Sequence, residues 1–306
     1  MDSARYSETN SFKNGIKTIP EIIANKKPLF SFEVFPPKTE KGLKNLFHTI
    51  EELAALEPDY ISVTYGAGGS TSRSTLEIIE RIQKQFGITC MHHFTLVNQT
   101  EEDLEAHIEK MVKAGVKNVL ALRGDPPQES GKFQKIEGGF EYCYELIDAV
   151  RRTAGDEIGI GTAGFPDVHV DCPCAELDSE YLRIKLDHGA QFVVTQLFFG
   201  ENTYQEYRTR LAEKGACAPV IPGVLPITDY NRLVSFAETC GAYICEQVHR
   251  IFKPLAEDLK ETVKRGTEFS IEQCSRLLAQ GAEGIHFYSL NKTEPVRTIW
   301  KALLDR

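Results

Sequence analysis

The sequence lacks cysteine pairs with the spacing of a metal site. Its 8 cysteines include no CxxC pair, so neither a zinc ribbon nor an iron–sulfur cluster is indicated. Cys172 and Cys174 flank a proline in a predicted loop and could meet Cys240 and Cys245 in space, but nothing in their spacing requires a shared ligand. We therefore expect free thiols and no bound metal.

Long apolar segments and an excess of positive charge are absent as well. Residues 1–28 are polar and mixed in charge, without the apolar core of a signal peptide or a membrane span, so we expect a cytoplasmic protein with no membrane partner. The formal net charge of -9 argues against nucleic-acid binding, because a protein that grips the phosphate backbone needs a basic patch to displace counterions. With 42% hydrophobic and 26% charged residues, the composition is that of a globular protein.

The sequence does contain an alternation of strand-like and helix-like segments. Short apolar, β-rich runs recur about every 30 residues, and an amphipathic stretch long enough for a crossover helix follows most of them. The eight runs are 29–35, 60–65, 88–96, 116–122, 158–163, 192–198, 220–225 and 285–288. Helical spacing occurs in 40–56, 72–86, 101–114, 140–151, 179–188 and 204–214.

Glycines mark several of the predicted helix ends. They are Gly87, Gly115, Gly189 and Gly215, placed where a helix must turn left-handed into the next strand. Eight βα units predict an α/β fold, a closed (β/α)8 TIM barrel. We expect a flexible N-terminal segment with an initial helix in 1–28, a single catalytic barrel domain in 29–306, and extra helices between the seventh and eighth strands.

A doubly wound sheet is the competing architecture. It lacks support because the dinucleotide fingerprint GxGxxG followed by an acidic residue is missing after the first strand. The nearest imitation, in residues 159–164, lies inside the fifth predicted strand, and no helix opens directly after it. The barrel is therefore the architecture that we predict.

Polar residues that end the predicted strands are the candidate site residues, because barrel active sites form at the carboxyl ends of strands. Glu33 ends the first run, inside SFEVFPPK, and its apolar surroundings predict a raised pKa and a role as general acid. Pairing with an arginine is the alternative interpretation. The second run ends in TYGAGGST, a loop of small residues that lets a ligand approach the backbone and offers hydroxyl groups.

The third run contains His92 and His93, and strand alternation sends one of them into the barrel and the other toward the helices. We predict that His93 points inward. A core histidine with satisfied hydrogen bonds is the alternative interpretation. A metal ligand is disfavoured, because no second histidine stands at matching spacing.

The fourth and sixth runs end in the motifs LRGDPP and TQLFF. Arg123 could face a phosphate and Asp125 a developing cation, while Gly124 between them lets a planar ring approach the main chain. An internal ion pair between Arg123 and Asp125 is the alternative. Gln196 can both donate and accept hydrogen bonds among aromatic neighbours, which suits a heterocycle such as a pterin.

Seven motifs in this order resemble those of the methylenetetrahydrofolate reductase family. They are SFEVFPPK at 31–38, SVTYGAGGST at 62–71, LRGDPP at 122–127, FPDVH at 165–169, TQLFF at 195–199, PGVLPI at 222–227 and HFYSLNK at 286–292. The resemblance implies an FAD-containing barrel of the short, bacterial type, which reduces 5,10-methylenetetrahydrofolate to 5-methyltetrahydrofolate in one-carbon metabolism and methionine supply. It also implies ping-pong kinetics with NADH or NADPH as electron donor.

Residue roles follow from the resemblance at matching positions. Around FAD it implies Thr64, His93, Arg123, Gly124, Asp125, His169, Asp178 and Lys185, together with Phe165, which stands where the family often has tyrosine. For the folate it implies Glu33 as the general acid and Gln196, Phe236 and Tyr288 as contacts. Asp125 would stay ionised and stabilise the methylene-iminium cation that ring opening leaves.

Two positions depart from the family pattern. Lys292 stands where the better-known bacterial members carry arginine, and lysine cannot form the bidentate fork of a guanidinium. Arg232 stands where those members have a glutamine that contacts the substrate. Both are kept as substrate-binding candidates, and the choice among NADH, NADPH and a protein electron donor stays open.

Two other functions and the oligomeric state also stay open. Another FAD-containing barrel oxidoreductase, of the proline dehydrogenase type, would use other loop motifs. A folate-binding protein without catalysis is disfavoured by the intact pair Glu33 and Asp125. Amphipathic barrel helices are compatible with a homo-oligomer.

Overall fold

A computed structural model of the chain describes residues 15–65, 72–125 and 133–305, and for residues 72–74 the backbone alone. Nine strands in this part of the chain form one parallel sheet. They are β1 (Leu29–Val34), β2 (Tyr60–Val63), β3 (Cys90–Thr95), β4 (Asn118–Leu122), β5 (Gly159–Gly164), β6 (Phe192–Thr195), β7 (Val220–Ile221), β8 (Gly223–Val224) and β9 (Gly284–Tyr288). Their order in the sheet is β7-β6-β5-β4-β3-β2-β1-β9-β8.

A strand that Pro222 divides closes the sheet. Before the proline, β7 pairs with β6, and after it β8 pairs with β9. Proline has no N–H to donate, but the carbonyl of Pro222 accepts a hydrogen bond from His286 N at 3.0 Å. The two short segments therefore share the seventh position of an eight-position barrel, and the predicted (β/α)8 fold is confirmed.

Eleven helices in the described ranges connect, cover or close the strands of the barrel. They are α1 (Ile19–Asn25), α2 (Glu40–Ala54), α3 (Ser72–Phe86), α4 (Glu101–Lys113), α5 (Cys143–Ala154), α6 (Ala175–Asp187), α7 (Thr203–Glu213), α8 (Tyr230–Cys240), α9 (Glu246–Phe252), α10 (Leu259–Ala279) and α11 (Val296–Leu304). The predicted extra helices between the seventh and eighth strands are α8, α9 and α10. The four glycines that were predicted to end helices all have positive φ, from 66° at Gly87 to 111° at Gly189.

The first helix closes the amino-terminal end of the barrel. A capping box of Thr18 and Glu21 starts α1, and the side chain of Asn118 on β4 accepts a hydrogen bond from Ile19 N. Inside the barrel, the apolar face of α1 packs in one cluster with Leu29, Tyr60, Met91, Leu120 and Phe192. This closure leaves the carboxyl ends of the strands for a site. Residues 1–14, which belong to the segment predicted as flexible, lie outside the described residues.

The helices after β8 have a hydrophobic core of their own. It joins the ends of β6 and β8 to α8, α9 and α10 through Leu197, Leu225, Ile227, Leu233, Val248, Phe252 and Phe269. One rim of the barrel is thereby built of rigid helices. No helix in the described ranges is both long and apolar enough to cross a bilayer.

Replacing Gly266 by alanine is expected to destabilise this rim. A Cβ on Gly266 of α10 would lie 1.7 Å from the carbonyl oxygen of Ile227, which is backbone and cannot turn away as a side chain can. We expect the free energy of unfolding to fall by about 3 kcal/mol, despite a gain of about 1 kcal/mol in helix propensity. Denaturation by urea measures this change. Lys264→Ala, at an exposed position of the same helix, is the control and should change little; equal midpoints for the two variants would contradict the argument.

Candidate active site

A partly buried carboxylate stands at the barrel mouth. Glu33 lies near the end of β1, where its backbone is in register with Ser62 on one side and Tyr288 on the other. Its Oε2 lies 3.4 Å from Nε2 of His93 and 3.8 Å from Nε2 of His286. The described partners of Glu33 are thus two imidazoles, and the predicted alternative of an arginine partner is not what the structure shows.

Hydroxyl groups orient both imidazoles from below. Ser62 Oγ lies 2.6 Å from Nε2 of His93, and Ser31 Oγ lies 2.7 Å from Nδ1 of His286. The ring of Tyr60 stacks on His286 with a centroid distance of 5.9 Å and an interplanar angle of 11°. These groups form a buried polar layer directly beneath the carboxylate.

The predicted electrostatic environment of Glu33 is wrong in one respect. The sequence suggested apolar neighbours and a raised pKa. Burial does raise the pKa of Glu33, but the facing imidazoles of His286 and His93 lower it by more, so the net pKa lies below its ordinary value. In the free protein the carboxylate is therefore ionised at neutral pH.

The two adjacent histidines of β3 divide as strand alternation predicts. His93 points into the barrel toward Glu33, and burial holds the pKa of His93 below its ordinary value. His92 points outward, where its Nε2 lies 3.2 Å from Nε2 of His107 on α4. His93 is thus both a hydrogen-bonded interior histidine and a neighbour of the candidate acid.

A tyrosine on the neighbouring strand β9 reaches across the barrel mouth to the end of β6, which an amide side chain follows. The hydroxyl of Tyr288 donates to the carbonyl of Thr195 at 2.7 Å, and the Oε1 of Gln196 accepts from Leu197 N at 2.9 Å. Burial, together with the charge of Glu33, raises the pKa of Tyr288 well above its ordinary value. A Cβ at Gly223 would lie 2.4 Å from the carbonyl oxygen of Thr195. Glycine is therefore needed where the ring of Tyr288 passes β8 to reach Thr195.

The end of β4 supplies an arginine and an exposed carboxylate. Nη2 of Arg123 lies 2.7 Å from Oδ2 of Asp171, so the predicted alternative of an Arg123 to Asp125 ion pair is replaced by a partner from another loop. Asp125 is exposed. Gly124 has φ 90° and could not carry a Cβ, which would meet Val97 Cγ1 at 2.7 Å. The backbone of Gly124 is therefore uncovered by a side chain, between the positive Arg123 and the negative Asp125.

The loop after β5 and the helix α6 continue this charged region. The backbone N–H of His169 donates to Oδ1 of Asp178 at 3.4 Å, and Nζ of Lys185 donates to the carbonyl of Ala163 at 2.8 Å. The ring of Phe165 meets His169 edge-on at 4.6 Å. Burial lowers the pKa of Lys185 and raises the pKa of Asp178. The charge of each group acts on the pKa of the other in the direction opposite to burial.

The remaining predicted residues lie at the rim. Thr64 is half-buried after β2, and the glycine-rich loop that follows it, residues 66–71, falls outside the described residues. Phe236 is 44% exposed on α8, the side chain of Arg232 is 82% exposed one turn earlier, and Lys292 is exposed after β9. None of these side chains contacts Glu33 among the described residues.

His286 is the site residue that the sequence argument did not single out. In the sequence it is only the first letter of HFYSLNK, although it stands two residues before Tyr288 and so shares its inward face. All 8 cysteines are free. The described residues contain no group of three or more histidine, cysteine or acidic side chains that could hold a metal.

Comparison with known proteins identifies the family. The family model for methylenetetrahydrofolate reductase matches residues 18–304. Methylenetetrahydrofolate reductase (NADH) 1 of Zea mays is 35% identical over 285 residues, which are 90% of this chain and 48% of the relative, so the chain spans about half the length of that protein. The 5,10-methylenetetrahydrofolate reductase of Buchnera aphidicola subsp. Schizaphis graminum is 32% identical over 275 residues, covering 90% of this chain and 91% of the relative.

A solved structure supports the same fold. An uncharacterised protein from Clostridium thermocellum that binds two copies of 5-methyl-5,6,7,8-tetrahydrofolic acid superposes with a TM-score of 0.65 at 12% identity, over 93% of this chain and 97% of the other. At this identity the likeness concerns the fold alone. The match over nearly the whole barrel, together with the bacterial relative, shows that the chain belongs to the methylenetetrahydrofolate reductase family.

Proposed function

We propose that this protein reduces 5,10-methylenetetrahydrofolate to 5-methyltetrahydrofolate, with electrons that pass from a nicotinamide dinucleotide through FAD. The observation that carries the proposal is the carboxylate of Glu33, partly buried in the barrel mouth between His93 and His286 and beside Tyr288, in a chain of this family. The reaction would serve one-carbon metabolism and the supply of methionine.

The residues at the ends of β2 to β5 fit a bound FAD. Gly124 exposes main chain on which a planar ring or a phosphate can lie, and Arg123 and Lys185 bring positive charge to the same side of the barrel. The full set that would hold the cofactor is Thr64, His93, Arg123, Gly124, Asp125, Phe165, His169, Asp178 and Lys185. When bound, FAD would supply the hydride that reduces the folate.

Glu33 would deliver the proton that opens the five-membered ring of the substrate. In the free protein its carboxylate is ionised and its side chain is 17% exposed. A folate that approaches this exposed part removes the carboxylate from water, which favours the protonated form, so Glu33 would take up a proton from the solvent before the mouth is filled. The proton then goes to the departing ring nitrogen, and the bond between that nitrogen and the methylene carbon breaks.

Asp125 would stabilise the positive charge that ring opening leaves on the methylene-iminium group. Its carboxylate is exposed and free of the Arg123 guanidinium, which Asp171 occupies. A negative charge beside a developing cation lowers the barrier without a proton transfer. Gln196 and Tyr288 would bind the pterin, with Phe236, Arg232 and Lys292 nearer the rim.

One mouth would serve both reactants in turn. Since α1 closes the amino-terminal end of the barrel, the nicotinamide and the folate would use the same carboxyl-end opening, so one would leave before the other binds, as in a ping-pong mechanism. The proposal accommodates either NADH or NADPH as donor. The plant relative is named for NADH.

Anaerobic mixing tests the proposal. The purified protein is treated with NADH, then NADPH, and then 5,10-methylenetetrahydrofolate while the flavin absorbance is followed. A yellow protein that a nicotinamide bleaches and the folate recolours would support both half-reactions. A colourless protein would overturn the proposal, and a yellow protein that the folate does not recolour would indicate a barrel oxidoreductase for another substrate.

A further inference from the structure

The chain makes a strained turn immediately after β9. Lys292 N donates to the Ser289 carbonyl at 2.9 Å, and the two residues between them, Leu290 and Asn291, have φ of 51° and 55°. Positive φ at both central positions is typical of a type I′ turn, which favours asparagine and glycine but not leucine. A non-glycine residue in this conformation costs free energy and persists only where the surroundings hold it.

The surroundings that hold this turn belong to β1. The parallel ladder between β1 and β9 ends at the pair Glu33 and Tyr288. Beyond it, Oδ1 of Asn291 accepts from Phe35 N at 2.9 Å and Nδ2 of Asn291 donates to the Phe35 carbonyl at 2.9 Å. The side-chain carboxamide of Asn291 therefore bonds both the N–H and the C=O of Phe35, as a neighbouring strand would.

A second contact from the turn reaches the backbone of the candidate acid itself. The hydroxyl of Ser289 donates to the Glu33 carbonyl at 2.6 Å. On the opposite side of β1, Thr64 N donates to the Val34 carbonyl at 2.9 Å. The three residues from Glu33 to Phe35 are thus fixed from both neighbouring strands.

This backbone anchoring matters because the side chain of Glu33 is held loosely. Its separations from the two imidazoles, 3.4 Å and 3.8 Å, exceed those of a strong charge-assisted hydrogen bond. The position of the carboxylate is therefore set by the backbone of β1. A proton transfer needs the donor within hydrogen-bond reach of its acceptor, and a small displacement at this point costs rate.

We propose that the turn Ser289–Lys292 is a clamp that positions Glu33, with Asn291 as its positioning residue. The inference rests on the proposed function, since it assigns the clamp to the protonation of the folate. Asn291 acts through the backbone of Phe35, to which both of its side-chain hydrogen bonds go. In this proposal, the positive φ angles of Leu290 and Asn291 are tolerated because this turn brings the carboxamide of Asn291 to Phe35 at the end of β1.

Asn291→Gly tests the clamp. Glycine relieves the unfavourable φ, so the variant should fold, while both hydrogen bonds to Phe35 are lost. We expect the folate half-reaction to slow by roughly 10- to 100-fold and flavin reduction by the nicotinamide to stay near the wild-type rate. The pH dependence of the folate half-reaction should also change, because the surroundings of Glu33 change. A purely structural role would not separate the two half-reactions in this way.

The chain offers a matched control and a partial rescue. Asn98 also has φ 55°, lies after β3 and is exposed, and its side chain makes no hydrogen bond to a described residue, so Asn98→Gly should leave both half-reactions unchanged. Asn291→Asp keeps an acceptor for Phe35 N but loses the donor, and its folate rate should fall between wild type and Asn291→Gly.

The outcomes separate the clamp from the proposed function. Wild-type protein that does not oxidise its reduced flavin with 5,10-methylenetetrahydrofolate would overturn both. If wild type reacts and Asn291→Gly reacts equally fast, or if the variant loses both half-reactions in the same proportion, the clamp is wrong and the proposed function stands.

Discussion

Replacing Glu33 by glutamine is expected to abolish folate reduction while leaving reduction of the flavin by the nicotinamide near its wild-type rate. The amide has nearly the shape of the acid but cannot deliver a proton to the departing nitrogen, and general acid catalysis contributes roughly 10²- to 10⁴-fold. The two half-reactions should be measured separately by rapid mixing under anaerobic conditions. Folate turnover near the wild-type rate in Glu33→Gln would remove Glu33 from the mechanism.

The same variant carries an expectation for pH. Because the pKa of Glu33 in the free protein lies below its ordinary value, the acid form is the minor one at neutral pH, and the wild-type folate half-reaction should slow as pH rises. Any residual folate rate in Glu33→Gln should not show that slope. Glu272→Gln, an exposed position on α10, is the matched control and should retain both the rate and the slope.

Replacing Asp125 by asparagine is expected to slow the folate half-reaction by about 10- to 100-fold and the donor half-reaction by much less. The substitution keeps the size of the side chain and removes its negative charge from the region where ring opening creates a cation. Both rates can be followed in the flavin absorbance of the same preparation.

The control for Asp125 is an aspartate at the other end of the barrel. Asp156 precedes β5 on the amino-terminal side and its side chain is fully exposed, so Asp156→Asn changes the net charge equally without touching the mouth. Equal losses in the two half-reactions of Asp125→Asn would contradict a role in stabilising the cation, and would point to cofactor binding instead.

Much of the barrel could be predicted because its signals are local. Each strand is a short apolar run, and the observed bounds differ from the predicted ones by a few residues at the ends. The division of the seventh run at Pro222 was not predicted, although the proline was visible. A proline alone does not show that the segment before it pairs with β6 and the segment after it with β9, because this pairing depends on how the sheet closes.

The sequence predicted which polar residues lie at the end of each strand, but not which of them contact one another. Alternation within β3 correctly sent His93 inward, but the imidazole pair around Glu33 requires the register of β1 with β9 and, through β2, with β3. The apolar neighbours of Glu33 in sequence therefore gave the wrong direction for its pKa. Similarly, the partner of Arg123 is Asp171, from a loop that sequence proximity does not indicate.

The closed amino-terminal end limits how protons reach the centre of the molecule. Ser31, Tyr60 and Ser62 beneath Glu33 are all fully buried, and α1 seals the barrel below them. Once a reactant fills the mouth, water has no described route to the carboxylate. Because the free carboxylate is ionised at neutral pH, Glu33 would have to take up its proton from water at the open mouth while the folate binds, and each turnover would use the one proton loaded before the mouth is filled.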